Sequence, residues 1–151
     1  MSLPDLLADG LKLVVLSTSG HDYAAKGDRL WETLHVIGLT PRQLEPQEMP
    51  SLLEYGIGLT ELAEKEHTGR DEGARFEGAK DLRRKIRQHN PGMLVFNGKQ
   101  VAKDYLQMPT VAYGLMPHSI GTTKLFVCPT TKAGAKASWD PRWWDVMSKL
   151  L

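Results

Sequence analysis

The hydrophobic pattern of the chain alternates between short, nearly continuous apolar runs and longer stretches with helical spacing. Three runs, at 11–16, 93–96 and 125–128, are typical of strands that are buried on both faces. Each run is followed by a polar turn and then by a helical pattern. Strands that alternate with helices in this way predict an α/β protein with a three-layer αβα fold and a mostly parallel central sheet.

Helical spacing and end signals predict where the helices begin and end. Asp28 and the Asp140-Pro141 pair are suitable starts, because aspartate caps helix N-termini and proline fits the first turn. The predicted helices cover 28–37, 47–54, 75–89, 99–106 and the segment from 140 onward. Weaker patterns predict a brief strand, or the loop that leaves one, at 57–60, a further strand at 111–115 and a charged surface segment at 64–73. Three tryptophans, at 139, 143 and 144, are expected to dock the last helix.

The composition restricts the class of protein. The chain has 151 residues, 41% hydrophobic and 25% charged, which predicts one globular domain over 1–151. It has neither an apolar run of the roughly 20 residues that span a membrane nor the pattern of a signal peptide, so we expect a cytoplasmic protein without membrane contact. The single cysteine, Cys128, excludes an internal disulfide and a cysteine-held cluster. The five histidines lack metal-ligand spacing, so no metal is expected.

Charge is unevenly distributed along the chain. The formal net charge is +1, but residues 1–75 carry 7 basic and 13 acidic side chains, whereas residues 76–151 carry 12 and 5. Such asymmetry is compatible with a surface that meets phosphates, and equally with solvated helix faces. The basic run 83–87 is interpreted as a solvated face of its helix.

Ligands of parallel α/β sheets bind beyond the carboxyl ends of the strands, so three loops are the candidate site. These loops are 17–25, 97–99 and 130–138. The first lacks the glycine spacing of a dinucleotide site and the Gly-Lys-Ser/Thr ending of a phosphate-binding loop. His21 and Asp22 either form an acid–base pair or bond only to nearby backbone.

The order and spacing of several segments resemble the mismatch-specific uracil/thymine DNA glycosylases, a branch of the uracil-DNA glycosylase superfamily. The segments are 5–10, 28–31, 38–48, 52–62 and 96–100. The resemblance implies one α/β domain that flips a damaged base out of duplex or single-stranded DNA. It also implies hydrolysis of the N-glycosidic bond without a cofactor, by a protein that acts as a monomer. Flipping is required because the bond is inaccessible within the base stack.

The chain departs from this family in its catalytic motifs. Thr18 stands where the family has the asparagine that positions water, and Tyr23 aligns with the aromatic residue that stacks on the base. The second motif, 129–134, has threonine in place of its first asparagine and lacks the leucine wedge. The segment 20–23 loosely resembles the Gly-Gln-Asp-Pro-Tyr motif of other uracil-DNA glycosylases, which makes Asp22 the candidate for activating water. Its alternative role is to cap the loop.

The resemblance and the loop chemistry together predict the site. The catalytic candidates are Asp22 and Thr18, and the base-binding candidates are Tyr23, Ser17 and Asn97. The candidates for DNA contact are Thr130, Thr131, Lys132, Gly134 and Lys136. Tyr23 is alternatively a half-buried loop anchor, and Asn97 a turn-former before Gly98. The predicted function is that of a DNA glycosylase for uracil or a related deaminated base, with weak or altered activity because of the divergent motifs. The alternatives are a catalytically impaired lesion-binding protein of the same fold and, more remotely, an unrelated nucleotide-binding protein.

Overall fold

The computed structural model describes residues 5–63 and 71–151, and within them a five-stranded sheet has the order β2-β1-β3-β5-β4. The strands are β1 Leu13–Thr18, β2 Ile57–Leu62, β3 Met93–Asn97, β4 Gly114–Ile120 and β5 Thr123–Cys128. The helices are α1 Leu30–Val36, α2 Asp71–His89, α3 Lys99–Leu106 and α4 Pro141–Ser148. Two 3₁₀ segments, Pro46–Tyr55 and Lys136–Ser138, complete the regular structure of this part of the chain. Four strands are parallel, and only β4 runs antiparallel to its neighbour β5.

Alternation along the strands creates two hydrophobic cores, one on each face of the sheet. Leu13 and Val15 of β1 face a core formed with α1, α4 and the first 3₁₀ segment, whereas Val14 and Leu16 face a core formed with α2 and α3. Burial on both faces explains why β1 is apolar at almost every position. Helices therefore cover both faces of a mostly parallel sheet, which confirms the predicted three-layer fold.

Most predicted elements are present, with shifted ends. The first helix is shorter than 28–37, and its N-cap is Arg29 instead of Asp28, whose carboxylate nevertheless accepts the backbone N–H of Leu30 at 3.0 Å. The last helix begins as predicted, because Asp140 accepts the backbone N–H of Arg142 and Pro141 occupies the first turn. Its Trp144 is completely buried, which confirms that the last helix docks through a tryptophan.

Three boundaries were predicted wrongly. The strand expected at 111–115 is displaced, since β4 begins at Gly114 and continues to Ile120. β4 is an edge strand with exposed Leu115 and Pro117, so it lacks the continuous apolar run by which a buried strand is recognised in the sequence. Helix α2 begins at Asp71 instead of near residue 75. Of the predicted surface segment 64–73, residues 64–70 lie outside the described residues, and residues 71–73 are helical.

Two further features of the helices bear on function. None of the helices in the described ranges combines the length and the apolar character that crossing a bilayer requires. The basic residues of α2 mostly meet solvent or carboxylates: Arg84 pairs with Asp81 and Lys85 with Asp5, at 2.6 and 2.7 Å. The hydrogen bond from Arg84, and secondly the positive charge of Lys85, lower the pKa of Asp81.

Candidate functional site

The loops that follow β1, β3 and β5 meet at one edge of the sheet, which we call the carboxyl edge. The backbone N–H of Arg29 donates to the carbonyl of Thr131 at 2.8 Å, and that of Gly98 donates to the carbonyl of Cys128 at 2.9 Å. Gly98 has φ +114°, and a Cβ there would lie 2.9 Å from that of Thr130. Glycine is therefore required for this close approach of the β3 and β5 loops. The three loops predicted to form the site are brought together.

Asn97, the last residue of β3, is the centre of this meeting point. Its Nδ2 donates to the hydroxyl oxygens of Thr131 at 3.0 Å and of Tyr23 at 3.3 Å. Its Oδ1 accepts the backbone N–H of Thr131 at 2.9 Å. Both N–H groups of the amide are thus in use, and one residue from each of the other two loops is tied to it.

Tyr23 fills the space beside Asn97. The side chain is only 1% exposed, and its ring lies 4.2 Å from that of His21. The indole N–H of Trp31 donates to the Tyr23 carbonyl at 2.8 Å, which connects the loop to α1. Burial raises the pKa of Tyr23 to about 12, and the nearby carboxylates of Asp28 and Glu61 act in the same direction. The phenol is therefore a neutral hydroxyl that can both accept and donate a hydrogen bond.

Ser17 completes a buried group of polar side chains. It is fully buried, as is Thr131, and Asn97 is 4% exposed. The Ser17 hydroxyl is a polar neighbour that lowers the pKa of Tyr23 and so opposes the effect of burial. Within the described residues it is the one buried side-chain polar atom without a partner. We call Ser17, Tyr23, Asn97 and Thr131 the polar cluster.

A buried hydrogen-bonded pair that sequence reasoning missed lies in the loop after β1. Nε2 of His21 lies 2.7 Å from Oδ2 of Asp28, and both side chains are 2% exposed. The other oxygen of this carboxylate accepts the backbone N–H of Leu30, the first residue of α1, so Asp28 connects His21 to the start of that helix. His21 was considered as a partner of Asp22, but its actual partner is seven residues away. The irregular loop between them has no period that would have revealed the pair.

The two catalytic candidates are chain neighbours of polar-cluster residues, since Thr18 follows Ser17 and Asp22 precedes Tyr23. Asp22 is exposed, and its Oδ1 accepts the backbone N–H of Ala24 at 2.9 Å, which is the loop-capping contact considered as its alternative role. Thr18 is half-buried at the end of β1, and its carbonyl accepts the N–H of His21. A further carboxylate, Glu61 at the end of β2, accepts the backbone N–H of Gly20 at 3.1 Å. Sequence reasoning did not select Glu61, although strand register places it beside Ser17.

The β5 loop, 129–139, carries the predicted DNA-contacting residues. Lys132, Gly134 and Lys136 are exposed, Thr130 is half-buried and Thr131 belongs to the polar cluster. The guanidinium of Arg29 donates to the Lys132 carbonyl at 2.8 Å and lies 5.3 Å from the centre of the Trp139 ring. Arg29 thus holds the loop while the two lysine side chains extend into solvent.

These features define a three-layer α/β protein with a buried polar cluster at the carboxyl edge of its parallel sheet and exposed lysines beside it. No group of three His, Cys, Asp or Glu side chains within residues 5–63 and 71–151 is arranged to hold a metal ion. Residues 13–144 match the family model of the Uracil DNA glycosylase superfamily, and the chain belongs to that superfamily. The match includes all three loops of the site. Membership supports a glycosylase role on DNA in general terms and confirms the superfamily inferred from sequence; the mismatch-specific branch stays a prediction.

Proposed function

We propose that the protein is a DNA glycosylase that hydrolyses the N-glycosidic bond of uracil, or of a related deaminated base, after the base is flipped from DNA. The observation that carries the proposal is the polar cluster of Ser17, Tyr23, Asn97 and Thr131, at the carboxyl edge of a member of this superfamily. In this proposal the protein is of the mismatch-specific type and works as a monomer in the cytoplasm, without a cofactor.

The reaction needs a group that activates water near the deoxyribose. The bond between C1′ and the base nitrogen breaks, the base departs with the bonding electrons, and water supplies the oxygen that C1′ gains. A carboxylate suits this task because it accepts the proton of water and stabilises positive charge on the sugar. Asp22 is the candidate because it is exposed, whereas Asp28 is buried against His21 and Glu61 holds the loop at Gly20.

The β5 loop supports contact with the DNA backbone. Lys132 and Lys136 are exposed beside the site, and their neighbours Ala133, Gly134 and Ala135 are small. Small residues allow the backbone to approach phosphates closely, and lysines neutralise them. Between residues 130 and 138 the loop has no bulky apolar side chain that could act as a wedge, so we expect binding to depend more on phosphate charge than on intercalation.

A second candidate function, lesion binding without hydrolysis, is favoured by a specific observation. Both N–H groups of the Asn97 amide are taken by Tyr23 and Thr131, and the Tyr23 ring is covered. Thr18, in addition, stands where the resembling family has its water-positioning asparagine. A protein in this state binds damaged DNA only after rearrangement and need not cleave it.

One experiment separates the two functions. End-labelled duplexes that contain U·G, U·A or T·G, and the uracil strand alone, are incubated with the protein and then heated in alkali to cut abasic sites. Hydrolysis predicts strand cuts at the uracil position and none in the matching C·G duplex. The Asp22→Asn variant, purified in parallel, controls for contaminating enzymes. Uracil-selective binding by fluorescence anisotropy with no cuts would establish the second function and refute the first.

A further inference from the structure

We infer that Tyr23 is a gate: its phenol occupies, in the free protein, the position that the oxo group of a flipped base takes when DNA is bound. The inference rests on the proposed function as far as the ligand is concerned, since the base is what displaces the ring. It assigns the Asn97 amide and the Ser17 hydroxyl as the groups that receive the oxo oxygen once the gate has opened.

The first step is the orientation of the Asn97 amide. A backbone N–H can only donate, so the Thr131 N–H, 2.9 Å from Oδ1, fixes which end of the amide is oxygen. Nδ2 therefore faces the Tyr23 hydroxyl, and the phenol oxygen accepts from it as a carbonyl oxygen would. Thr131 is in this way a positioning residue for Asn97.

The second step is that the contact made by Tyr23 is easily exchanged. The distance from Asn97 to the Tyr23 hydroxyl is 3.3 Å, longer than the 3.0 Å to Thr131 and beyond the usual range for such bonds. The Ser17 hydroxyl is fully buried and makes no full hydrogen bond to another described residue, although it is near enough to the phenol to lower the pKa of Tyr23. A buried hydroxyl without a partner lowers the stability of the fold. An acceptor atom of a ligand that reached it would remove that cost. The free protein thus leaves one donor weakly used and another unused.

The third step is the chemistry that fits these donors. Uracil, thymine and hypoxanthine present an oxo oxygen where cytosine and adenine present an amino group. The Asn97 Nδ2–H group can only donate, so it binds an oxo oxygen and cannot pair with an amino group in its place, whereas the Ser17 hydroxyl donates or accepts and does not discriminate between them. The arrangement therefore selects the oxo product of deamination over the parent base.

The fourth step concerns how the gate opens. The loop that carries Tyr23 is bounded by Gly20 and Gly27, with φ of +84° and +89°, and the residues at 24–27 are exposed. A Cβ at Gly20 would meet no atom within 4 Å, but the Gly20 N–H donates to Glu61 at 3.1 Å, and this bond must break for that end of the loop to turn. The Asp28–His21 pair and the Trp31 bond to the Tyr23 carbonyl hold the loop closed in the free state.

The test compares the affinity of variants for two duplexes that differ only at one base. The probe carries 2′-fluoro-2′-deoxyuridine, whose sugar fluorine prevents hydrolysis, and the reference duplex carries 2′-fluoro-2′-deoxycytidine at the same place. Anisotropy gives the ratio of the two Kd values. Tyr23→Phe removes the hydroxyl and keeps the ring, so we expect the preference for uracil to rise about 3- to 10-fold over that of the native protein.

The matched control is Asn97→Asp, which keeps the shape of the side chain but replaces the Nδ2 donor by an acceptor at pH 8. This variant should lose the uracil preference, and the double variant Tyr23→Phe/Asn97→Asp should show no gain over it. Tyr23→Leu, which also lacks the hydroxyl, replaces Tyr23→Phe if that variant does not fold. Folding of each variant is checked by thermal melting.

The outcomes separate this inference from the proposed function. An unchanged uracil preference in Tyr23→Phe would overturn the gate, even if the native protein cuts uracil DNA. A raised preference that requires Asn97 would establish the gate, even if no variant cuts DNA. Loss of preference in Tyr23→Leu with an unchanged Tyr23→Phe would show that Tyr23 acts only by stacking on the base, and would also refute the gate.

Discussion

At the scale of single residues, neighbours in the loop after β1 have opposite environments. His21 is buried and paired with Asp28, whereas Asp22 next to it is exposed and bonded only to the backbone of Ala24. A buried carboxyl group with a fixed hydrogen-bond partner stabilises the loop, because breaking the pair would leave a buried polar group without its partner. An exposed carboxylate next to Tyr23 in the chain can approach a sugar brought by DNA. From this contrast we infer that Asp28 stabilises the loop, and Asp22 stays the catalytic candidate.

We therefore predict that Asp22→Asn lowers single-turnover cleavage of uracil DNA by roughly 10²-fold or more, the range of positioned acid–base groups. The amide keeps the contact with the Ala24 N–H, so folding should be unaffected. Thr18→Ala should have a smaller effect. Glu54→Gln, at an exposed carboxylate of the first 3₁₀ segment, serves as the control. If Thr18→Ala is the more damaging change, the water is positioned by Thr18 and the assignment to Asp22 is wrong.

The residues of the polar cluster could be named from sequence, but their contacts could not. Ser17, Tyr23, Asn97 and Thr131 all follow or end buried strands, and parallel strands deliver their carboxyl ends to one edge. Which atoms then meet depends on strand register and loop shape. Neither leaves a periodic trace in the sequence. For the same reason the sequence suggested Tyr23 as a stacking residue and did not reveal that its ring is covered in the free protein.

At the scale of elements, predictability follows burial. β1, β3 and β5 are buried on both faces and were recognised from continuous apolar runs. β4 is an edge strand, and its burial is interrupted by exposed positions, so its limits were missed. Helix α4 was recognised from Asp140 and Pro141, and its role emerges only in three dimensions. The indole N–H of Trp144 donates to the carbonyl of Pro129 at 2.9 Å, and so α4 holds the start of the β5 loop.

We predict that Trp144→Phe destabilises the protein by about 1–3 kcal/mol, since it leaves the buried Pro129 carbonyl without its donor while most of the ring volume is kept. Urea unfolding followed by circular dichroism measures the change. Trp143→Phe, at a half-buried position of the same helix, should cost less. DNA affinity should fall with Trp144→Phe even below the unfolding transition, because the β5 loop loses its support. Equal stability of the two variants would mean that the contact with Pro129 contributes nothing.

At the scale of the whole molecule, the excess of basic residues after residue 76 does not form one continuous binding face. Part of it lies on α2, which covers the sheet face opposite to α1 and α4 and where carboxylates pair with Arg84 and Lys85. Another part, Lys132 and Lys136, stands exposed at the carboxyl edge next to the polar cluster. The position of these charges, more than their sum, indicates where a phosphate backbone would lie.

The lysines of the β5 loop lead to a prediction that holds whether or not the protein cleaves DNA. Each lysine that neutralises a phosphate releases counterions and contributes about 0.9 to the slope of log K against log salt on duplex DNA. Replacing both Lys132 and Lys136 by alanine should therefore reduce that slope by nearly 2 and weaken binding similarly for all sequences. Lys80→Ala/Arg87→Ala removes two exposed charges from α2 and should leave the slope unchanged. If the α2 pair changes the slope and the loop pair does not, the DNA lies along α2, and the polar cluster is not positioned to receive a flipped base.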